Sequence, residues 1–147
     1  MIHVLTGRCH CGGVRVRFET GFPPEGLQLR ACGCGFCRKH GALTASDGGG
    51  SLLFEAAGDA LNLYRFGSHS ADFLVCRHCG VYVGVVMTIA GESYGVVNVN
   101  AMDDRSRFDR APDPMDYDHE TVEARIARRK KFWSPAQLTV NSPTQTA

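Results

Sequence analysis

Seven cysteines fall into three groups along this 147-residue chain. Cys32-Gly33-Cys34-Gly35-Phe36-Cys37 places three thiols within six residues, a C-x-C-x-x-C spacing tight enough to wrap one metal ion. Three thiolates are three of zinc's usual four ligands, and a zinc centre with three protein ligands keeps its last position for water or substrate. Cys9-His10-Cys11 and Cys76-Arg77-His78-Cys79 supply four more thiols, which make a closed tetrahedral set of the structural kind. The expectation is therefore two Zn2+ per chain: a structural ion on Cys9, Cys11, Cys76 and Cys79, and a catalytic one on Cys32, Cys34 and Cys37.

Other uses of the thiols stay in view. Cys9 and Cys11 could share a metal with members of the central cluster, although a C-x-C with a distant C-x-x-C is a familiar tetrahedral set. A redox switch would need reactive, exposed thiols. Disulfides fit poorly, because the count is odd and a C-x-C bridge closes a strained ring. Iron–sulfur clusters accept the same ligands, but the usual ferredoxin spacings are absent.

An open three-thiolate zinc centre is suited to binding a fourth thiolate, since coordination stabilises the deprotonated sulfur. A thiolate so held can add to an aldehyde carbonyl to give an S-hydroxymethyl adduct, or the adduct can break down by the reverse path. Four thiolates around a divalent ion leave a net negative charge that invites cations. Arg38, Lys39 and His40 directly follow the cluster and are the candidates to balance that charge or to contact substrate carboxylates. Asn98 and Asn100 alternate to one face of a strand and are candidates to line the cleft. His10 and His78 read as non-ligands, because four thiols already complete the closed site. His69 sits in a turn, where it is a surface residue or a proton shuttle.

The elements that must hold these residues are short strands. Val14, Val16 and Phe18 alternate with Arg15, Arg17 and Glu19, the period of a half-buried strand. Leu27 and Leu29 alternate into the central cluster. Further strands are expected over 42–46, 51–56, 61–66, 71–75, 81–87 and 94–99, separated by glycine-rich turns. That makes seven or eight strands and an all-β domain, with no helical period before residue 118. Residues 108–117, with Pro112 and Pro114, read as an irregular connector. Asp118 is placed to cap a helix starting near His119, with Val122 and Ile126 on one face and Arg128 to Lys131 at its carboxyl end. Pro135 ends anything helical, and the polar stretch from Thr139 to Ala147 reads as a mobile tail. The division expected is a zinc-binding β domain over 1–117, with 118–147 as its C-terminal helix and tail.

Composition narrows the function classes. The chain is 44% hydrophobic and 21% charged, as in an ordinary water-soluble domain. A formal net charge of +1 gives no global attraction to nucleic acid or an anionic membrane, and no long basic tail is present. The apolar runs are too short and broken to span a bilayer, and the first residues lack a signal-peptide pattern. Seven thiols kept reduced for metal suit the cytoplasm.

Gly7-x-Cys9-x-Cys11-Gly12, Cys32-x-Cys34-x-x-Cys37-Arg38-Lys39, Tyr64-Arg65-Phe66-Gly67, Cys76-x-x-Cys79-Gly80-Val81 and Asn98-Val99-Asn100 occur in that order. The set resembles the glutathione-dependent formaldehyde-activating enzyme family over roughly residues 5–103. The resemblance implies a tent-like arrangement of small sheets, a "β-tent", over two zinc sites, with Cys9, Cys11, Cys76 and Cys79 structural and Cys32, Cys34 and Cys37 catalytic. It implies carbon–sulfur lyase chemistry on glutathione, or a similar small thiol, and an aldehyde such as formaldehyde. Gly35 departs from the pattern, which often carries serine there. The same architecture resembles the centromere protein V-like zinc domain, which implies the competing reading: a non-catalytic scaffold for macromolecular partners, docking through the Arg125–Lys131 segment and Phe132-Trp133.

Overall fold

Alternation of apolar and charged residues sets the strands that frame the cysteines. In β2 (Val14–Thr20), Val14, Val16 and Phe18 are buried while Arg15 and Arg17 point to solvent. It pairs antiparallel with β1 (His3–Arg8), from His3 opposite Thr20 to Arg8 opposite Arg15. The computed structural model describes residues 1–141. After this hairpin come β3 (Arg30–Cys32), the short helix α1 (Gly35–His40), β4 (Thr44–Ala45), β5 (Ser51–Ala56) and β6 (Leu61–Tyr64). β7 (Asp72–Cys76), β8 (Tyr82–Ile89), β9 (Glu92–Asn98) and β10 (Asp113–Met115) follow, and α2 (Val122–Phe132) and β11 (Ser134–Val140) complete the described chain.

The strands hydrogen-bond in the order β1-β2-β5-β11-β9-β4-β3-β10, and β6, β7 and β8 branch from β9 as an antiparallel meander. The expected all-β domain with a C-terminal helix is thus found, with more strands than expected. β11 was unforeseen because its inward residues, Ser134 and Ala136, carry little hydrophobic signal and Pro135 reads as a breaker. Pro135 is tolerated near the start of the strand, facing Tyr94 of β9. From Ala136 onward the same strand runs parallel to β5, so β11 stitches the two halves of the sheet together. The 108–117 connector contains β10, whose Pro114 sits on the last strand of the order, where one missing donor is harmless. Thr139 and Val140, expected in the tail, belong to β11; residues 142–147 lie outside the described residues.

Two cores form. The larger packs Phe18, Phe54, Leu74, Val83 and Val97 around Cys9 and Cys76. The smaller packs Tyr82, Val85, Met87, Val96 and Trp133 around Cys37, with Cys32 and Cys34 at its margin. Each cysteine group therefore has its own core. Among the described residues, no helix is long and apolar enough to cross a membrane.

Candidate metal centres and cavity

The four-thiol group is built from two strand-to-strand turns. β1 ends at Arg8, and the Cys9 N–H donates to the Val14 carbonyl (2.9 Å) while the Val14 N–H donates to Cys9 Sγ (3.2 Å). Between β7 and β8 the Cys76 N–H donates to the Val81 carbonyl and the Gly80 N–H to the Cys76 carbonyl, both at 2.9 Å. Gly12 (φ +83) and Gly80 (φ +79) close these turns in the left-handed region, which a side chain would strain. The sulfurs converge: Cys9 to Cys11 is 3.8 Å and Cys11 to Cys76 is 3.5 Å. All four ligand atoms lie within 4.8 Å of one another. A tetrahedral zinc with Zn–S bonds of about 2.3 Å places its sulfurs about 3.8 Å apart, so the donor set fits the ion in type and spacing. His10 and His78 are exposed, and His78 Nε2 faces Asp59 at 3.4 Å instead of the thiols. Burial drives the Cys76 thiol up to about 12, whereas Cys79, despite its own desolvation, is drawn down to about 6 by backbone N–H groups of Cys11 and Val81.

The central cluster is organised by a helix that the sequence did not announce. Cys34 caps α1, its sulfur accepting from the Cys37 N–H at 3.4 Å. Gly41 (φ 58) ends the helix by returning its N–H to the Arg38 carbonyl. One turn of helix thus folds Cys37 back onto Cys34, while β3 delivers Cys32. The three sulfurs lie within 4.8 Å of one another, again compatible with a thiolate-bound metal. The Cys37 side chain lowers Cys32 to about 6 by hydrogen bonding; Arg128 adds positive charge. Cys37 is pushed far up by its bond to Cys32 and by burial.

A cavity of about 330 Å³ opens over these three thiols. Phe66, Phe73 and Tyr82 line one side, and Phe36 packs against all three from outside the lining (5.5 Å, 4.9 Å and 4.9 Å edge-on). The Tyr82 hydroxyl is fully buried and has no hydrogen-bond partner among the described residues, and burial together with the neighbouring thiols raises it well above the usual phenol range. Arginines line the other side. Thr121 Oγ1 accepts from the Ala124 N–H (3.1 Å) and caps α2, the role the sequence reading gave to Asp118. Val122 is half exposed, and the inward positions are Arg125, Arg128 and Arg129 with Ile126.

The candidate contacts from sequence are placed differently. Arg38, Lys39 and His40 are exposed on the last turn of α1 and do not line the cavity. Asn98 is buried and donates to the Tyr82 carbonyl (3.0 Å), and Asn100 donates to the Gly41 carbonyl (2.9 Å). Both brace the backbone near the site. His69 lies exposed in a turn between the cavity-lining Ser68 and Ser70 and does not itself line the cavity. Tyr82, Arg30 and the α2 arginines escaped sequence reasoning. A basic run at a helix end looks like a solvated face, and nothing local marks Tyr82 as inward.

The chain is similar to known proteins in sequence and in fold. A crystal structure of a Rhodobacter sphaeroides protein is 34% identical, with 67% of this chain and 87% of that one aligned and a TM-score of 0.50. Residues 4–117 match the sequence model described as glutathione-dependent formaldehyde-activating enzyme. That match takes in all seven thiols and stops short of α2, and on its strength the chain belongs to the glutathione-dependent formaldehyde-activating enzyme family.

Proposed function

We propose that this protein is a zinc-dependent carbon–sulfur lyase that makes or breaks S-hydroxymethyl-type adducts of glutathione, or a similar small thiol, with an aldehyde such as formaldehyde. The observation that carries the reading is that three thiols, and not four, gather at the wall of a cavity while the other four complete a set among themselves. Cys32, Cys34 and Cys37 would hold the catalytic ion, and Cys9, Cys11, Cys76 and Cys79 the structural one. Zinc held there stabilises the thiolate form of a substrate sulfur whose ordinary pKa is about 8.5.

The chain's own residues supply the rest. Phe66 and Phe73 give the cavity an apolar wall beside the three thiols, and Phe36 packs behind them. As the substrate sulfur bonds to the aldehyde carbon, the carbonyl π pair moves to oxygen, which must take a proton. Tyr82 Oη, protonated throughout the neutral range and without another partner, donates it. The proton lost by the substrate thiol restores Tyr82, so thiol and aldehyde become the adduct with no net proton change. Breakdown runs the same steps backward. The scaffold reading draws less support: Trp133 is buried and Arg125, Arg128 and Arg129 face the cavity, which leaves Lys130, Lys131 and Phe132 as the exposed part of that segment. Reduced thiols point to the cytoplasm as the site of action.

The test is thiol-dependent aldehyde exchange followed by NMR, with zinc content measured in parallel. Cys34→Ser should abolish exchange with the melting temperature largely kept. X-ray absorption of the zinc-loaded protein should show added sulfur coordination when glutathione is supplied. A central cluster that is metal-free in freshly reduced protein, or that holds zinc without responding to any thiol, sinks the reading.

A further inference from the structure

Four arginines line the cavity over the three thiols: Arg30 from β3, and Arg125, Arg128 and Arg129 from α2. Two of them are already paired. Glu120 takes Arg128 Nε at 2.6 Å and Nη2 at 2.9 Å, and receives Arg125 Nε at 3.4 Å. Arg128 is further fixed with its guanidinium 3.6 Å from the Tyr117 ring centre. Arg30 and Arg129 are different. Arg30 donates to the neutral Ser46 Oγ. Arg129 donates to Ser70 Oγ (2.8 Å), touches Met87 Sδ (3.8 Å) and lies 4.7 Å over Trp133, while its Nε is buried with no partner among the described residues. Asp116 and Asp118 share the cavity wall, yet neither is ion-paired with an arginine among the described residues.

A guanidinium held out of water without a carboxylate is costly, and its planar fork matches a carboxylate better than any other common ligand. We propose that Arg129, together with Arg30, forms a carboxylate-binding subsite that selects an acidic thiol, the sulfur lying toward Cys32, Cys34 and Cys37 and a carboxylate toward the guanidinium groups. This rests on the lyase reading only for the sulfur end. The cavity, about 330 Å³, is at the small end of ligand pockets, which suits a thiol of tripeptide size or less. Arg129 lies on α2, beyond the family-matched residues 4–117, whereas Arg30 lies within them. Arginines that merely balanced the thiolate charge would not distinguish one thiol from another.

The test compares three probes by calorimetry on the zinc-loaded full chain: glutathione, its diethyl ester, and γ-glutamyl-alanyl-glycine, which keeps both carboxylates and lacks the sulfur. Glutathione should bind at least about tenfold more tightly than the ester, a difference that shrinks at high salt. Arg129→Gln should lose about tenfold on glutathione and less than about twofold on the ester. Equal binding of glutathione and ester by the unaltered protein overturns the subsite, and so does an equal loss for both in Arg129→Gln and Arg30→Gln. The first comparison needs no variant, and melting curves check that each variant folds. If the sulfur-free peptide binds like glutathione and loses affinity in Arg129→Gln, the subsite stands and the lyase reading falls. A bound ester with no preference for the free acid leaves the lyase reading and removes the subsite.

Discussion

Tyr82→Phe separates function from stability more cleanly than any other change here. The hydroxyl is buried, on a side chain 1% exposed, and satisfies no hydrogen bond. An unpartnered buried hydroxyl costs about 1–3 kcal/mol. Phenylalanine keeps the ring, and with it the edge-on contact to Phe36 at 4.9 Å and the packing on Phe73 at 5.9 Å. The variant should therefore be as stable as the parent or up to about 1–3 kcal/mol more stable, which for a domain of this size raises the melting temperature by about 2–4 °C per kcal/mol. Turnover should move the other way. Loss of a positioned proton donor costs about 10²–10⁴-fold. Circular dichroism melts and NMR exchange of the thiol–aldehyde adduct, with zinc content matched, give both numbers. A variant that is destabilised and still turns over at the parental rate refutes the assignment of Tyr82 as proton donor and makes its hydroxyl structural.

Other outcomes follow from the same geometry. Cys79→Ser should cost one equivalent of zinc and the cooperative unfolding transition, because a closed metal site in a β turn couples binding to folding; parental metal content and melting would contradict the structural role. Gly84→Ala would put a methyl group 2.6 Å from the Val96 carbonyl oxygen and 2.7 Å from the Phe54 ring, both immobile, and should destabilise by about 1–3 kcal/mol or more in a chemical melt. The Arg128 hydrogen bond holds the Glu120 carboxyl below its ordinary value of 4.5, so its contribution to fixing α2 against the turn before it is complete above pH 4.5 and is lost as pH falls through the lower folded value. The single tryptophan, Trp133 at the end of α2, should report this as an acid-dependent fluorescence change that Glu120→Gln flattens; parallel curves for the two proteins would discount the pairing.

Spacing alone made the metal chemistry legible. Cysteines two and three residues apart meet by a turn of their own backbone, so local sequence carries each motif, and the same holds for alternating strands such as β2 and β5; that Cys11 meets Cys76, 65 residues on, was decided by the pairing of distant strands. Local pattern was weaker where a strand's inward residues are small, as in β11, or where proline sits at an edge, as in β10. The arginine wall of the cavity was not legible at all. Arg125, Arg128 and Arg129 look like a solvated helix face until α2 is docked across the central cluster, some ninety residues away in the chain. Tyr82 shows the reason most clearly. By parity it should share a face with Gly84 and Val86, on the side of the larger core. A register shift between Leu74 and Val75 pairs Val75 with Tyr82 and sends its ring to the side of Val85 and Met87, against the three thiols. A bulge is a property of two strands pairing, not of either strand's sequence, and it is what decides which core receives the hydroxyl.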